Sequence, residues 1–344
     1  MNASEPASPR PMPRTDAPRQ GGLSRLVQRF ALLIAWGLTI VVFSVIEPGT
    51  FLQLANFTSM FSSQAVLLVL TLSLVVTLTA SEYDLSCAAV LSLSAMLIAI
   101  LNARLQIPIG YAILVAIAAG AVVGVINGIL VIGIGIDSII ATLGTGTVVS
   151  GIVLWISNSE TISGISQTLV SYVIVPRFLV LSLGFVYALV LTALLWYVLT
   201  FTPVGQRLLF VGRGRRVARL SGLNVERLRF GALLSGSLLA AVAGVLYAGT
   251  SGAADPSSGD TFLLPAFAAA FLGSTAIAPG RFNAWGSFAA VYFLVTGING
   301  LSLLGIQVFI QDLFYGGALI IAVALSSLVR RAERRERDIA KEAD

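Results

Sequence analysis

The sequence predicts an all-α integral membrane protein of about ten transmembrane helices with both termini in the cytoplasm. Three observations predict it. The 344 residues are 57% hydrophobic and only 11% charged, with a mean hydropathy of +0.93, a balance that no soluble domain of this length carries. Apolar runs recur near residues 28–46, 60–80, 86–101, 109–132, 138–157, 178–200, 229–250, 262–278, 284–303 and 308–329, most of them close to the ~20 residues that cross about 30 Å of hydrocarbon. Finally, nineteen of the 21 Lys and Arg residues fall in segments that alternate threading places on one side, leaving only Arg104 and Arg177 opposite. Positive charge is retained on the cytoplasmic side of a membrane. A miscount by one span would put every later basic cluster on the wrong face.

Taken in order, residues 1–24 are rich in Pro, Ser and Arg and read as a disordered cytoplasmic tail. Residues 25–330 form one transmembrane domain, and 331–344 a charged cytoplasmic tail. The first apolar run lacks a small-residue cleavage site and runs into Glu47-Pro48-Gly49, so it reads as an uncleaved anchor. Glu82 and Asp84 lie between the second and third spans, with no Lys or Arg near them in sequence; Asp84 is expected to cap the third helix through the amide of Ser86 or Cys87. In the fourth span, Gly120, Gly124 and Gly128 line one helix face. They predict close helix packing within the chain, with a contact between two copies as the alternative. Asp137 is placed to cap the fifth span. The exterior segment 158–177 turns amphipathic after a polar start, which predicts a short surface helix.

The segment 202–229 follows the sixth span. Pro203 and Gly205 break that span, Gly214 is placed as an N-cap, a basic helix of about two turns follows, and Gly222 ends it. A short, basic, capped helix between two membrane breaks has the form of an element gripped by another protein, although its arginines also fix topology. Val125–Leu130 and Gly297–Leu301 echo one another around Asn127-Gly128 and Asn299-Gly300. The echo fits an inverted repeat of spans 2–5 and 7–10; so short a match in apolar sequence also arises by chance.

The composition excludes much. There is no His, and Cys87 is the single cysteine, which removes the usual general base, the commonest metal ligand and any internal disulfide. No phosphate-binding glycine loop is present. The chain is therefore expected to be no enzyme, to hold no cofactor or metal, and to draw energy from elsewhere. The net charge of +5 is explained by topology rather than by a nucleic-acid partner. A solute path is expected to use Asp84, Asn127, Thr142, Thr145 and Asn299, with Thr147, Ser92 and Ser94 beside them, because a polyhydroxyl solute needs weak, exchangeable hydrogen bonds. The same residue types also bond to their own helix backbones. A secondary carrier driven by an ion gradient is the alternative, weakened by the absence of His and of acidic residues near mid-span.

The run Thr202-Pro203-Val204-Gly205 through Val211-Gly212 to Ala218-Arg219-Leu220-Ser221-Gly222-Leu223-Asn224-Val225 resembles a family pattern, as do Asp84-Leu85-Ser86, Asn127-Gly128, Thr142-Leu143-Gly144-Thr145 and Asn299-Gly300-Leu301. Together they make residues 25–330 similar to the membrane-spanning permease of the ribose-type branch of bacterial ABC sugar importers. Gln206, Gly214 and Val217 replace the pattern's Arg, Asn and Ala; Ser81-Glu82-Tyr83 and Ala278–Asn283 replace its glycine-rich runs. The resemblance implies a multi-pass protein of the bacterial inner membrane that carries a monosaccharide or sugar alcohol. It also implies cytoplasmic ABC ATPase subunits, a periplasmic solute-binding protein, a second permease copy and membrane lipid as partners. The 202–229 segment then corresponds to the ATPase-coupling element, with Gly212, Arg213, Gly214, Ala218, Arg219, Leu220 and Gly222 as its working residues.

Overall fold

The computed structural model describes residues 22–178, 181–307 and 309–324; the expected tails lie outside these, save that the first helix already begins at Gly22. Along the chain run α1 (Gly22–Ile46), the single turn α2 (Pro48–Phe51) and α3 (Leu54–Ser63), which meets α4 (Ala65–Thr79) at a 41° bend. Next come α5 (Cys87–Ala99), α6 (Ile109–Gly128), α7 (Ser138–Ser157) and α8 (Gln167–Ile174). α9 (Leu183–Phe201), α10 (Pro203–Arg213), α11 (Arg215–Leu220) and α12 (Val225–Ser251) lead to α13 (Asp260–Gly273), α14 (Ala284–Leu303) and α15 (Phe309–Ala324). Seven helical segments are long and apolar enough to cross a membrane, and the bent pair α3–α4 makes an eighth. α13 and α15 are shorter apolar helices. Each of the ten apolar runs thus carries a helix.

α4 is apolar on every face, and every one of its residues is buried, which is what a helix at the centre of a bundle requires. It packs against α12, α13 and α9. The glycine face of α6 meets α12. A Cβ on Gly120 would fall 2.5 Å from the Ala241 methyl, and one on Gly128 would fall 2.5 Å from the Phe230 ring. The stripe therefore serves packing within the chain, as expected. α5 and α6 both end in a π-helical turn, Ile100–Arg104 and Ile129–Ile134. The amphipathic stretch after Ser157 does form a surface helix, α8, capped by the Ser166 hydroxyl, which accepts from the Thr168 amide. Two short antiparallel pairings depart from the all-helical expectation: Ile162–Ser163 with Ala253–Ala254, and Pro176–Phe178 with Leu181–Ser182. They arise where connecting loops meet and their backbone groups need partners.

Candidate functional site

α9 stops where Pro203 follows Thr202, and the chain turns rather than frays. The Thr202 hydroxyl accepts from the Gly205 amide at 3.2 Å, and Gly205 lies so close to α9 that a Cβ would sit 2.1 Å from the Val198 carbonyl. α10 then ends at Gly214, whose extended backbone starts α11. Gly222 closes α11 at φ +79, donating its amide to the Arg219 carbonyl, while the Leu223 amide returns to Ala218. Gly214 and Gly222 thus bound the short helix as expected. Its two faces divide sharply. Ala218 is fully buried in a small cluster with Val211 and Val225, so it seats the helix on its own chain rather than offering a surface to a partner. Val217 and Leu220 point outward, Leu220 at 82% exposure. Arg219 pairs with Glu226 on α12. The Glu226 backbone amide and the Arg219 guanidinium hold that carboxyl below its ordinary range.

The seat itself is the connection between α4 and α5. Gly212 presses so closely on it that a Cβ would lie 2.0 Å from the Thr79 carbonyl. The Ser81 hydroxyl donates to the Gly212 carbonyl at 2.8 Å, and the Arg215 guanidinium donates to the Ser81 carbonyl at 2.9 Å. Arg215 also donates to the Glu82 carboxylate at 2.7 Å, where Arg229 of α12 meets the same oxygen. Glu82 is only 1% exposed. Its basic partners lie more than a hundred residues away in sequence, which is why inspection of its neighbours missed them. The available signal was chemical: a carboxylate in so apolar a chain needs a counter-charge, and the 207–229 arginines share its side.

The same connection reaches the other way, into α6 and α7. The Tyr83 amide donates to the Ser138 hydroxyl at 3.2 Å and the Leu85 amide to Thr142 Oγ1 at 3.0 Å. Asp84 accepts from the Ser86 amide and hydroxyl through one oxygen, as a cap, and its second oxygen is buried without a partner among the described residues. Burial pushes the Asp84 carboxyl up, against the pull of the Ser86 hydrogen bonds. Asn127 donates to the Ser86 hydroxyl at 2.8 Å. Asp137 caps α7 through the Ile139 amide.

Three of the five expected path residues, Asp84, Asn127 and Thr142, therefore come together, and two do not. Thr145 donates to its own helix at Ala141 and faces an apolar groove of 690 Å³ between α6 and α7. Asn299 donates to Asn56 at 2.8 Å. Asn56 stands at the far end of α3–α4 from Asp84, roughly 30 Å away at 1.5 Å per helical residue. Ser92 and Ser94 tie α5 to Gly259 and Ala241. Thr147 bonds to Leu143 on its own helix. Within one chain each of these groups braces a helix.

A bundle of seven or eight helices long and apolar enough to cross a membrane is the frame of a multi-pass membrane protein. Over residues 56–323 the chain matches the protein family described as branched-chain amino acid transport system / permease component, and it belongs to that family. It is 27% identical to the D-allose transport system permease protein of Escherichia coli K12, over 88% of this chain and 93% of that one. It is 29% identical to the ribose import permease protein of Bacillus subtilis 168, over 87% and 93%. The galactose/methyl galactoside import permease protein of Haemophilus influenzae Rd is 28% identical over the same shares. No solved structure matches the chain. The protein is a multi-pass membrane permease.

Proposed function

We propose that the chain is the membrane-spanning subunit of an ATP-driven importer of the bacterial inner membrane, carrying a monosaccharide or sugar alcohol. In this reading the ten apolar helices are ten spans, both termini are cytoplasmic, and spans 2–5 and 7–10 are inverted repeats. A periplasmic binding protein delivers the solute, and a second permease copy completes the path. Cytoplasmic ABC ATPases supply the energy, since this chain has no nucleotide loop of its own. The sugar permeases among its relatives support the cargo class.

One observation carries the reading: α11 is held rigidly on the α4–α5 connection through Gly212 and the Glu82–Arg215–Arg229 clasp. A flexible loop would absorb an ATPase's motion; a helix bolted to the 80–86 connection passes it to α6 and α7 through Asn127, Ser138 and Thr142. Leu220, Val217, Arg216 and Arg219 form the surface offered to the ATPase. The carrier alternative finds its best support in the free oxygen of Asp84, yet that residue lies in a connection at the basic end and not between helices at mid-depth. Purification from the native host tests the choice. An ABC ATPase is expected to accompany the wild-type chain and to be lost from Leu220→Asp, which leaves the fold intact. An ATPase retained by Leu220→Asp removes α11 as its dock, and none in either preparation favours the carrier.

A further inference from the structure

Apart from the coupling seat, the basic end holds a cleft of 240 Å³ that the proposed path does not use. Its walls come from the ends of three apolar helices: Arg29 of α1, Trp196 near the end of α9, and Arg281 and Trp285 around the start of α14. The turn 274–283 folds over α1, with the Ile277 amide donating to the Arg29 carbonyl at 2.9 Å.

The amide side chains in this cleft are already committed. Asn283 donates to the Gly273 and Ala276 carbonyls and accepts from the Gly286 amide. Gln206 donates to the Leu199 and Thr200 carbonyls. The two guanidiniums are different: among the described residues no carboxylate pairs with Arg29 or Arg281, and Arg29 only approaches the ring of its neighbour Phe30, at 5.6 Å. Two like charges on one small cleft call for an anion, and a guanidinium matches the oxygens of a phosphate. Trp196 and Trp285 meet edge to face at 6.5 Å, and Phe201 stands 5.2 Å from Trp196. Aromatic rings gathered at the ends of apolar helices mark the headgroup level of a bilayer, and basic pockets between helices on the cytoplasmic side suit anionic headgroups.

We propose that this cleft is a headgroup site for an anionic phospholipid, its phosphate held between Arg29 and Arg281 and its glycerol against the tryptophan pair. The acyl chains then leave the cleft for the surrounding hydrocarbon. A soluble phosphate would satisfy the arginines and leave the aromatic wall unused. The proposal requires only that these helix ends meet a membrane surface, and it holds for any cargo.

Native mass spectrometry of the full chain in detergent tests it, with phosphatidylglycerol, phosphatidylethanolamine of the same acyl chains, and glycerol 3-phosphate as probes. Phosphatidylglycerol should be retained roughly tenfold better than the other two. The pair Arg29→Gln and Arg281→Gln should remove that preference, a loss of about tenfold from two arginines at an anionic surface. Arg216→Gln, an exposed basic change on the same side, should leave it. Arg281→Gln alone should fall between, which keeps the test open if the double variant fails to fold. Equal retention of both lipids, unchanged retention in the arginine variants, or an equal loss in Arg216→Gln would overturn the site. Glycerol 3-phosphate bound as tightly as the lipid would reassign it to a soluble phosphate and overturn the lipid assignment.

Discussion

Glu82 joins the α4–α5 connection to two other elements. It is buried, it meets Arg215 from α11 and Arg229 from α12, and it stands two residues from Asp84. Replacing it by Ala leaves one mostly buried and one half-exposed guanidinium without their carboxylate, which should cost about 3 kcal/mol, read as a lower midpoint of thermal unfolding in detergent. Arg215→Gln removes only the half-exposed partner and should cost about 1 kcal/mol or less. Equal effects would mean that Arg229 contributes nothing to the clasp. At the opposite end of the bundle from α11, Asp255 offers a pH test. The Ser257 and Thr161 hydroxyls, in that order, hold its carboxyl below the ordinary range. A carboxyl lowered on folding stabilises above its unfolded pKa of about 4 and loses that contribution as pH falls through the folded value. Asp255→Asn should therefore cost up to about 1 kcal/mol at pH 7, and that cost should shrink as pH falls below about 4. A cost that persists in acid would point to shape rather than charge.

At the scale of the element, α11 separates two kinds of change. Ala218→Trp forces bulk into the Val211–Val225 cluster, and overpacking costs about 1–3 kcal/mol. It should lower stability, unseat the helix and abolish uptake even with the ATPase present. Leu220→Asp alters a side chain with almost no contacts in the chain and should leave the unfolding midpoint unchanged while releasing the ATPase. The comparison pairs unfolding midpoints with ATPase pull-down; a stable Ala218→Trp variant would show that the helix is not seated as described. The sequence revealed the outline of this element, because Pro203, Gly214 and Gly222 act through local backbone rules. Which face is buried depends on Val211 and Val225 closing on it from the helices on either side, so the inward turn of Ala218 was not readable.

At the scale of the whole molecule, hydropathy located every apolar helix, since each must satisfy its own backbone in lipid. The bend at Gln64 and the two π-helical turns were not legible, being set by packing. The solute path was legible least: Ser, Thr and Asn bond equally well to a sugar or to a helix, and only the fold shows that Thr145 turns to the α6–α7 groove and that Asn299 meets Asn56. With ten spans, a cysteine at Ser257 should react with a membrane-impermeant thiol reagent in cells whose outer membrane admits it, and one at Arg215 should not. Cys87 is buried and should not interfere. Labelling at Arg215 from outside would refute the topology.

The central claim, that ATP hydrolysis on a partner drives solute through this chain, is tested most directly by uptake in cells whose ion gradients are collapsed while ATP is maintained. D-allose, D-ribose, D-galactose and D-xylose form the panel, with the chain expressed beside its ATPase and binding protein. Uptake of at least one sugar should continue at an undiminished rate and stop when ATP is depleted. Uptake that ceases with the gradients while ATP stays high would contradict the account.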